Sequence, residues 1–131
     1  MMKKFIGTKI IHAEPQVKDG VDGYKVVYSD NYTSWSPKNV FEEAYREIDN
    51  MSFGLALEAL RKGFKVARKG WNGKGIYIEM QNPDEFSKMT QPYLYIVTTN
   101  LITDNQHAPK GIVPWLPSQT DILAEDWLIV E

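Results

Sequence analysis

Residues 52–80 run Ser52-Phe53-Gly54-Leu55-Ala56-Leu57-Glu58-Ala59-Leu60-Arg61-Lys62-Gly63-Phe64-Lys65-Val66-Ala67-Arg68-Lys69-Gly70-Trp71-Asn72-Gly73-Lys74-Gly75-Ile76-Tyr77-Ile78-Glu79-Met80. This stretch decides the fold class, because its hydrophobic period changes from helical to alternating within it. Ser52 supplies a hydroxyl for a helix N-terminus, and Phe53, Ala56, Leu57 and Leu60 share one face. Arg61 and Lys62 suit the negative end of the helix dipole, and Gly63 stops the helix. Phe64 to Arg68 then alternates as a half-buried strand, Gly70 to Gly75 is a glycine-rich loop, and Ile76 to Met80 is the returning strand.

Working outward toward the C-terminus, Asn82-Pro83-Asp84 breaks the chain and Pro92 to Thr98 alternates as another strand. A polar loop spans Thr103 to Gly111, and Ile112 to Trp115 follows as an extended segment. Ser118 caps a short helix, with Asp121 at its third position completing a capping box. Trp127 to Val130 reads as the closing strand. Toward the N-terminus, Thr8 to Ala13 and Gly23 to Tyr28 read as strands separated by a loop from Val17 to Gly23. Tyr32 to Trp35 makes a third strand. Ser36 and Pro37 start a helix whose stripe is Val40, Phe41, Ala44, Tyr45 and Ile48. The expected class is α+β: an antiparallel sheet with about three helices, and a small β-rich N-terminal extension carrying one of them. The expected division is 1–50 for the extension and 51–131 for the second domain. So short an extension has a thin core, which predicts that it packs on its neighbour.

The chain has 131 residues and no cysteine, which excludes disulfides, thiolate metal sites and thiol nucleophiles. No run of about 18 apolar residues exists, so no membrane partner is expected. The apolar stretch after Lys3-Lys4 is too short for a secretion signal, so the expected location is cytoplasmic. Net charge is −2, which argues against DNA or RNA as partner, because a phosphate backbone requires a basic surface. The charge is unevenly spread: residues 51–81 carry six basic and two acidic groups, whereas residues 82–131 carry two and seven. The basic excess lies between Arg61 and Lys74, a concentration that suits a small anion as well as a solvated helix end.

Motifs for catalysis are missing. His12 and His107 lie far apart and outside any metal-ligand spacing, and no serine sits in a GxSxG elbow. The glycine-rich loop lacks P-loop spacing. Asp121, Glu125 and Asp126 are close enough in sequence to serve a cation or act as acid and base, which keeps an enzyme that degrades its ligand as one rival. What remains suits a nucleotide. Trp71 lies between the cations of Arg68, Lys69 and Lys74, and the open backbone around Asn72 and Gly73 offers N–H donors to a phosphate. The Trp71 and Trp115 indoles are stacking surfaces for a base. Ser118, Gln119, Thr120 and Asp121 offer partners for ribose hydroxyls or a base edge. Against this stands a plain structural reading, with both tryptophans in the core, Ser118 and Asp121 as caps, and Asn72-Gly73 as a turn.

Met51 to Leu60, Gly63 and Val66 to Gly73, together with Val113 to Trp127, resemble the opening and closing signatures of the Thoeris anti-defence two-like domain family. Pro92 to Tyr95 is similar to its middle strand. The resemblance implies a phage or prophage protein that sequesters a cyclic nucleotide immune signal without cleaving it. That signal would be a cyclic ADP-ribose isomer or a cyclic dinucleotide. It implies no cofactor, a homotetramer with pockets between protomers, and pocket walls formed by Arg68 to Lys74 and Trp115 to Asp121. Tyr95 of the middle strand is taken with these as a ligand residue. The other rival is a protein–protein interaction module that binds no small molecule. The first fifty residues lie outside the resemblance.

Overall fold

The computed structural model describes residues 1–131. The chain divides into two compact units, Met1–Arg46 and Glu47–Glu131. The fold is α+β, with two antiparallel sheets and three helices.

The first unit is a three-stranded sheet, β1 (His12–Lys18), β2 (Val21–Val27) and β3 (Thr33–Pro37), paired in that order, with helix α1 (Lys38–Ala44). Strand β1 is shifted from the expected Thr8 to Ala13: only His12 and Ala13 of that segment are in it, residues 8–11 are not, and it runs on through Val17, which the sequence suggests is loop. The connection is a two-residue turn at Asp19-Gly20, both with positive φ (51° and 76°). That is the Asp-Gly hairpin geometry whose twist matches the flanking strands. Proline does not occupy the first helical position: Ser36 and Pro37 finish β3, and Pro37 is the N-cap, with no side-chain cap bond. The helix ends at Ala44 rather than Ile48, because Tyr45 is already extended. Tyr45 instead stacks on Phe41, which stacks on Tyr24 of β2. Val26 is buried in this unit, whereas Val40 and Ile48 of the expected helical stripe are exposed.

The second unit is a five-stranded sheet in the order β7-β6-β5-β4-β8. Its strands are β4 (Lys65–Arg68), β5 (Tyr77–Gln81), β6 (Tyr93–Val97), β7 (Ile112–Pro114) and β8 (Trp127–Val130). Helix α2 (Phe53–Arg61) is capped by Ser52, whose hydroxyl accepts from the Leu55 N–H, and the chain leaves it through Gly63 at φ 93°. Helix α3 (Gln119–Leu123) has the expected capping box between Ser118 and Asp121. Register sorts the two faces. Val66 pairs with Ile78 and Ile129, Ile78 with Ile96, and Arg68 with Trp127. Alternation therefore puts these residues on one face, where Ala56, Ala59 and Leu60 of α2 complete the core. Trp127, Ala56, Val66 and Ile78 are fully shielded from solvent. The larger of these, such as Val66 and Ile78, each contribute on the order of 2 kcal/mol by leaving water. No helix is long and apolar enough to cross a membrane.

Candidate ligand site

The site grows out of the end of β4 and the start of β8. Arg68 is the last residue of β4 and its register partner is Trp127, the first of β8. The guanidinium therefore emerges beside the segment that leads into β8. Its Nε donates to Asp126 Oδ1 and its Nη1 to Asp121 Oδ1, both at 2.9 Å. Asp126 also accepts the Gly70 N–H at 2.7 Å, and the Lys69 N–H donates to the Asp126 carbonyl. A Cβ on Gly70 would stand 2.7 Å from that Asp126 carboxylate, so glycine is needed for the loop to close this tightly. The carboxylates thus fasten the glycine-rich loop to the C-terminal segment.

Asp121 is the hub. Besides Arg68 it accepts the Trp71 indole Nε1–H at 3.1 Å on Oδ1 and the Ser118 N–H at 3.0 Å on Oδ2. Its side chain and that of Arg68 are 13% and 14% exposed, so the pair is mostly withdrawn from water. Burial alone would discourage ionisation of Asp121. The bonds from Ser118, Trp71 and Arg68 outweigh it and hold the carboxyl at about 2. The Arg68 bond, aided by the Gly70 N–H, likewise holds Asp126 below the usual carboxylate range against the effect of burial. Asp126 in turn raises Arg68, with Asp121 adding to it against the cost of burial. The three charges are fixed in the ionised state.

An aromatic cluster backs this network. Trp71 and Trp115 each meet the buried Trp127 edge-on, with centroids 5.4 and 6.0 Å away, and lie 6.2 Å from each other. Phe53 of α2 completes the group, 5.3 Å from Trp127. Such tilted contacts are favoured by the ring quadrupoles. Trp71 and Trp115 are half-buried: their inner edges are core and the remainder faces out. The Trp127 indole N–H donates to the Asp121 carbonyl at 2.9 Å, so the ring cluster and the ion network share one segment.

Arg68, Trp71, Trp115, Ser118 and Asp121 are brought together, and Gln119 and Thr120 are exposed on the first turn of α3. Asn72 is exposed and Gly73 is half-buried against Leu101. Lys74 closes its own loop, its Nζ donating to the Lys69 carbonyl at 2.8 Å, while its backbone bridges Ile102. Tyr95 stands apart. It pairs with Glu79 and Pro114, which alternation puts on the sheet face opposite Arg68 and Trp127. There burial, with Glu79 beside it, pushes its hydroxyl above the ordinary tyrosine value. The sequence reading left Trp127 as a plain strand residue and Asp126 only as a candidate acid or metal ligand. Their pairing across the sheet gives them their place here, and the adjacent Asp126-Trp127 in the closing signature was the available signal.

Residues 51–130 match the Thoeris anti-defense 2-like domain profile. Over 84 residues the chain is 42% identical to the protein named Thoeris anti-defense 2 of Bacillus phage SP01, an alignment covering 61% of this chain and 94% of that protein. The matched span contains α2, the glycine-rich loop, α3 and β8, and with them every member of the Arg68–Asp121–Trp127 cluster. The chain belongs to the Thoeris anti-defense 2-like domain family.

Proposed function

We propose that this protein acts against Thoeris defence by binding a cyclic nucleotide signal and holding it uncleaved. The ligand would be a cyclic ADP-ribose isomer or a cyclic dinucleotide, bound in the cytoplasm of the bacterial host. The anti-Thoeris role is carried over from the name of the phage relative. One observation carries the non-catalytic part of the reading: the carboxylates nearest the exposed indoles are already engaged. Asp121 serves Arg68, Trp71 and Ser118, and Asp126 serves Arg68 and Gly70. A general acid or base needs a value near the working pH, and a carboxyl held at about 2 is far from it. These groups are suited to shaping a wall, not to moving protons.

The outward parts of Trp71 and Trp115 then offer stacking surfaces. The exposed loop around Asn72 offers backbone donors for phosphates, and Lys69, which rests on Asn50 and Asp49, and Lys74, which donates to the Lys69 carbonyl, add charge beside it. A nanomolar complex corresponds to about −12 kcal/mol, and stacking supplies roughly 1–3 kcal/mol per base. Charge-assisted contacts to phosphate must therefore supply a large share. Arg68 takes part mainly by holding the wall in place. Enclosure is assigned to a second copy of the chain. Leu116, next to Trp115 in sequence, and Leu123, the last residue of α3, are 88% and 75% exposed and form an apolar rim suited to burial between protomers.

Thermal-shift measurements with purified protein and a panel of cyclic ADP-ribose isomers and cyclic dinucleotides test the reading. Stabilisation by one of them, reduced in Trp71→Ala and Trp115→Ala variants that keep their fold, is expected. No stabilisation by any member of the panel would favour the interaction-module reading.

A further inference from the structure

The first unit carries an aromatic platform that the family resemblance does not cover. Pairing register puts Glu14, Gln16 and Lys18 of β1, Gly23 and Lys25 of β2, and Thr33 and Trp35 of β3 on one sheet face. Helix α1 takes the other face, where Phe41 stacks on Tyr24. On the open face Trp35 lies across Gly23, a buried glycine whose absent Cβ would stand 2.4 Å from the indole ring. The ring reaches over β2 to β1, where its Nε1–H donates to the Gln16 carbonyl at 2.9 Å. An aromatic ring seated against glycine and fastened at its far end keeps little conformational freedom to lose on binding.

Two cations border the ring. Lys25 is its direct cross-strand neighbour, and the Lys18 ammonium sits over the ring 5.7 Å from the centroid. Glu14 is the neighbour of Lys25 on the other side, one strand further from Trp35. A solvent-open depression of about 650 Å³ lies here, lined by Gln16, Val17, Lys18, Lys25, Thr33, Ser34 and Trp35. The chemistry narrows the occupant. A cationic ligand is disfavoured by both lysines. A proline-rich peptide is disfavoured because the indole N–H that would donate to its carbonyl is already used. Two lysines match one phosphate rather than a polymer, which needs a longer basic track.

We infer that the Trp35–Lys18–Lys25 face of the first unit is a second nucleotide site, taking a nucleoside monophosphate whose base stacks on Trp35 in place of the Lys18 ammonium, which moves off the ring so that the phosphate lies between the two lysines. The Thr33 hydroxyl, on the same face as Trp35, is a partner for the ribose. This site is separate in sequence from the Arg68–Asp121 cluster and stands whether or not that cluster binds a signal.

Indole N–H spectra of the ¹⁵N-labelled full chain test it, since the sequence has four tryptophans and Trp35→Phe identifies the Trp35 signal. Adenosine monophosphate is expected to shift the Trp35 signal saturably and to leave those of Trp71 and Trp115 in place. The Lys18→Glu, Lys25→Glu double variant should bind about tenfold more weakly, as should adenosine on the parent protein, each corresponding to about 1.4 kcal/mol. An unmoved Trp35 signal at millimolar nucleotide overturns the inference. So does equal affinity in the charge-reversed variant. A Trp35 shift with a short oligothymidylate but not with monophosphates overturns the assigned occupant in favour of a single strand.

Discussion

Replacing Asp121 by asparagine removes one charge from the Arg68–Asp121–Asp126 network while keeping its shape. Both oxygens of Asp121 accept hydrogen bonds: Oδ1 from Arg68 and Trp71, and Oδ2 from Ser118. An amide has one oxygen, so its NH₂ must face a donor on one side or the other, leaving that donor unsatisfied. Breaking a well-buried ion pair from one side costs about 3–5 kcal/mol. Here the partners keep 13–14% of their side-chain exposure, and Arg68 keeps Asp126, so Asp121→Asn should cost about 2–3 kcal/mol. The same hydrogen bonds also set how stability depends on pH. The carboxyl sits at about 2 in the fold against 3.8 ordinarily, a difference equivalent to about 2 kcal/mol. Because the folded value is the lower one, this stabilisation is present in full above the ordinary value. It is lost as pH falls through the folded value. Urea unfolding in a Trp35→Phe background, followed by tryptophan fluorescence, reports the second unit alone, where the remaining three tryptophans lie. The parent should lose stability between pH 5 and pH 2, and Asp121→Asn should start lower at neutral pH and have a flatter profile. A variant within about 0.5 kcal/mol of the parent at neutral pH would refute the claim that Asp121 organises the site.

Three further outcomes follow from the same geometry. Ser118→Ala removes the hydroxyl that caps α3 and should cost about 1 kcal/mol in the same unfolding assay. Gly75→Ala places a Cβ 2.1 Å from the Asn100 carbonyl oxygen at a φ of 86°. It should displace the glycine-rich loop, seen as a lowered melting temperature and lost ligand-induced stabilisation. The double variant Leu116→Ser, Leu123→Ser removes the apolar rim beside α3 and should shift the protein toward monomer in sedimentation velocity while preserving its circular dichroism.

The parts of the fold that are local in sequence were legible in it. Ser52 and Gly63 bound α2 because cap and stop chemistry act within a few residues, and the Ser118–Asp121 capping box was readable for the same reason. Asp19-Gly20 carries a hairpin signal, yet the glycines at 20 and 23 suggest a longer loop. Pro37 was read as the first helical residue although β3 extends to it, because pairing with Gly23 of β2 overrides the local preference. The ion network was not legible. Arg68 lies 53 and 58 positions from its two carboxylate partners. Only sheet closure between β4 and β8 brings them together. Sequence placed Arg68 as a free cation for phosphate, whereas the structure engages it inside the protein. Tyr95 shows the same limit in reverse: alternation locates it on a strand, but which face it takes depends on register with β5 and β7.

Under the proposed function the ligand is held and returned unchanged. The direct measurement incubates the full chain with cyclic ADP-ribose isomers and cyclic dinucleotides, removes free ligand, denatures the complex by heat and separates the released material by chromatography. One nucleotide recovered intact, in proportion to the protein loaded, is the expected result. Recovery of a linear or otherwise altered product would contradict the account and assign the Asp121–Asp126 segment a catalytic role.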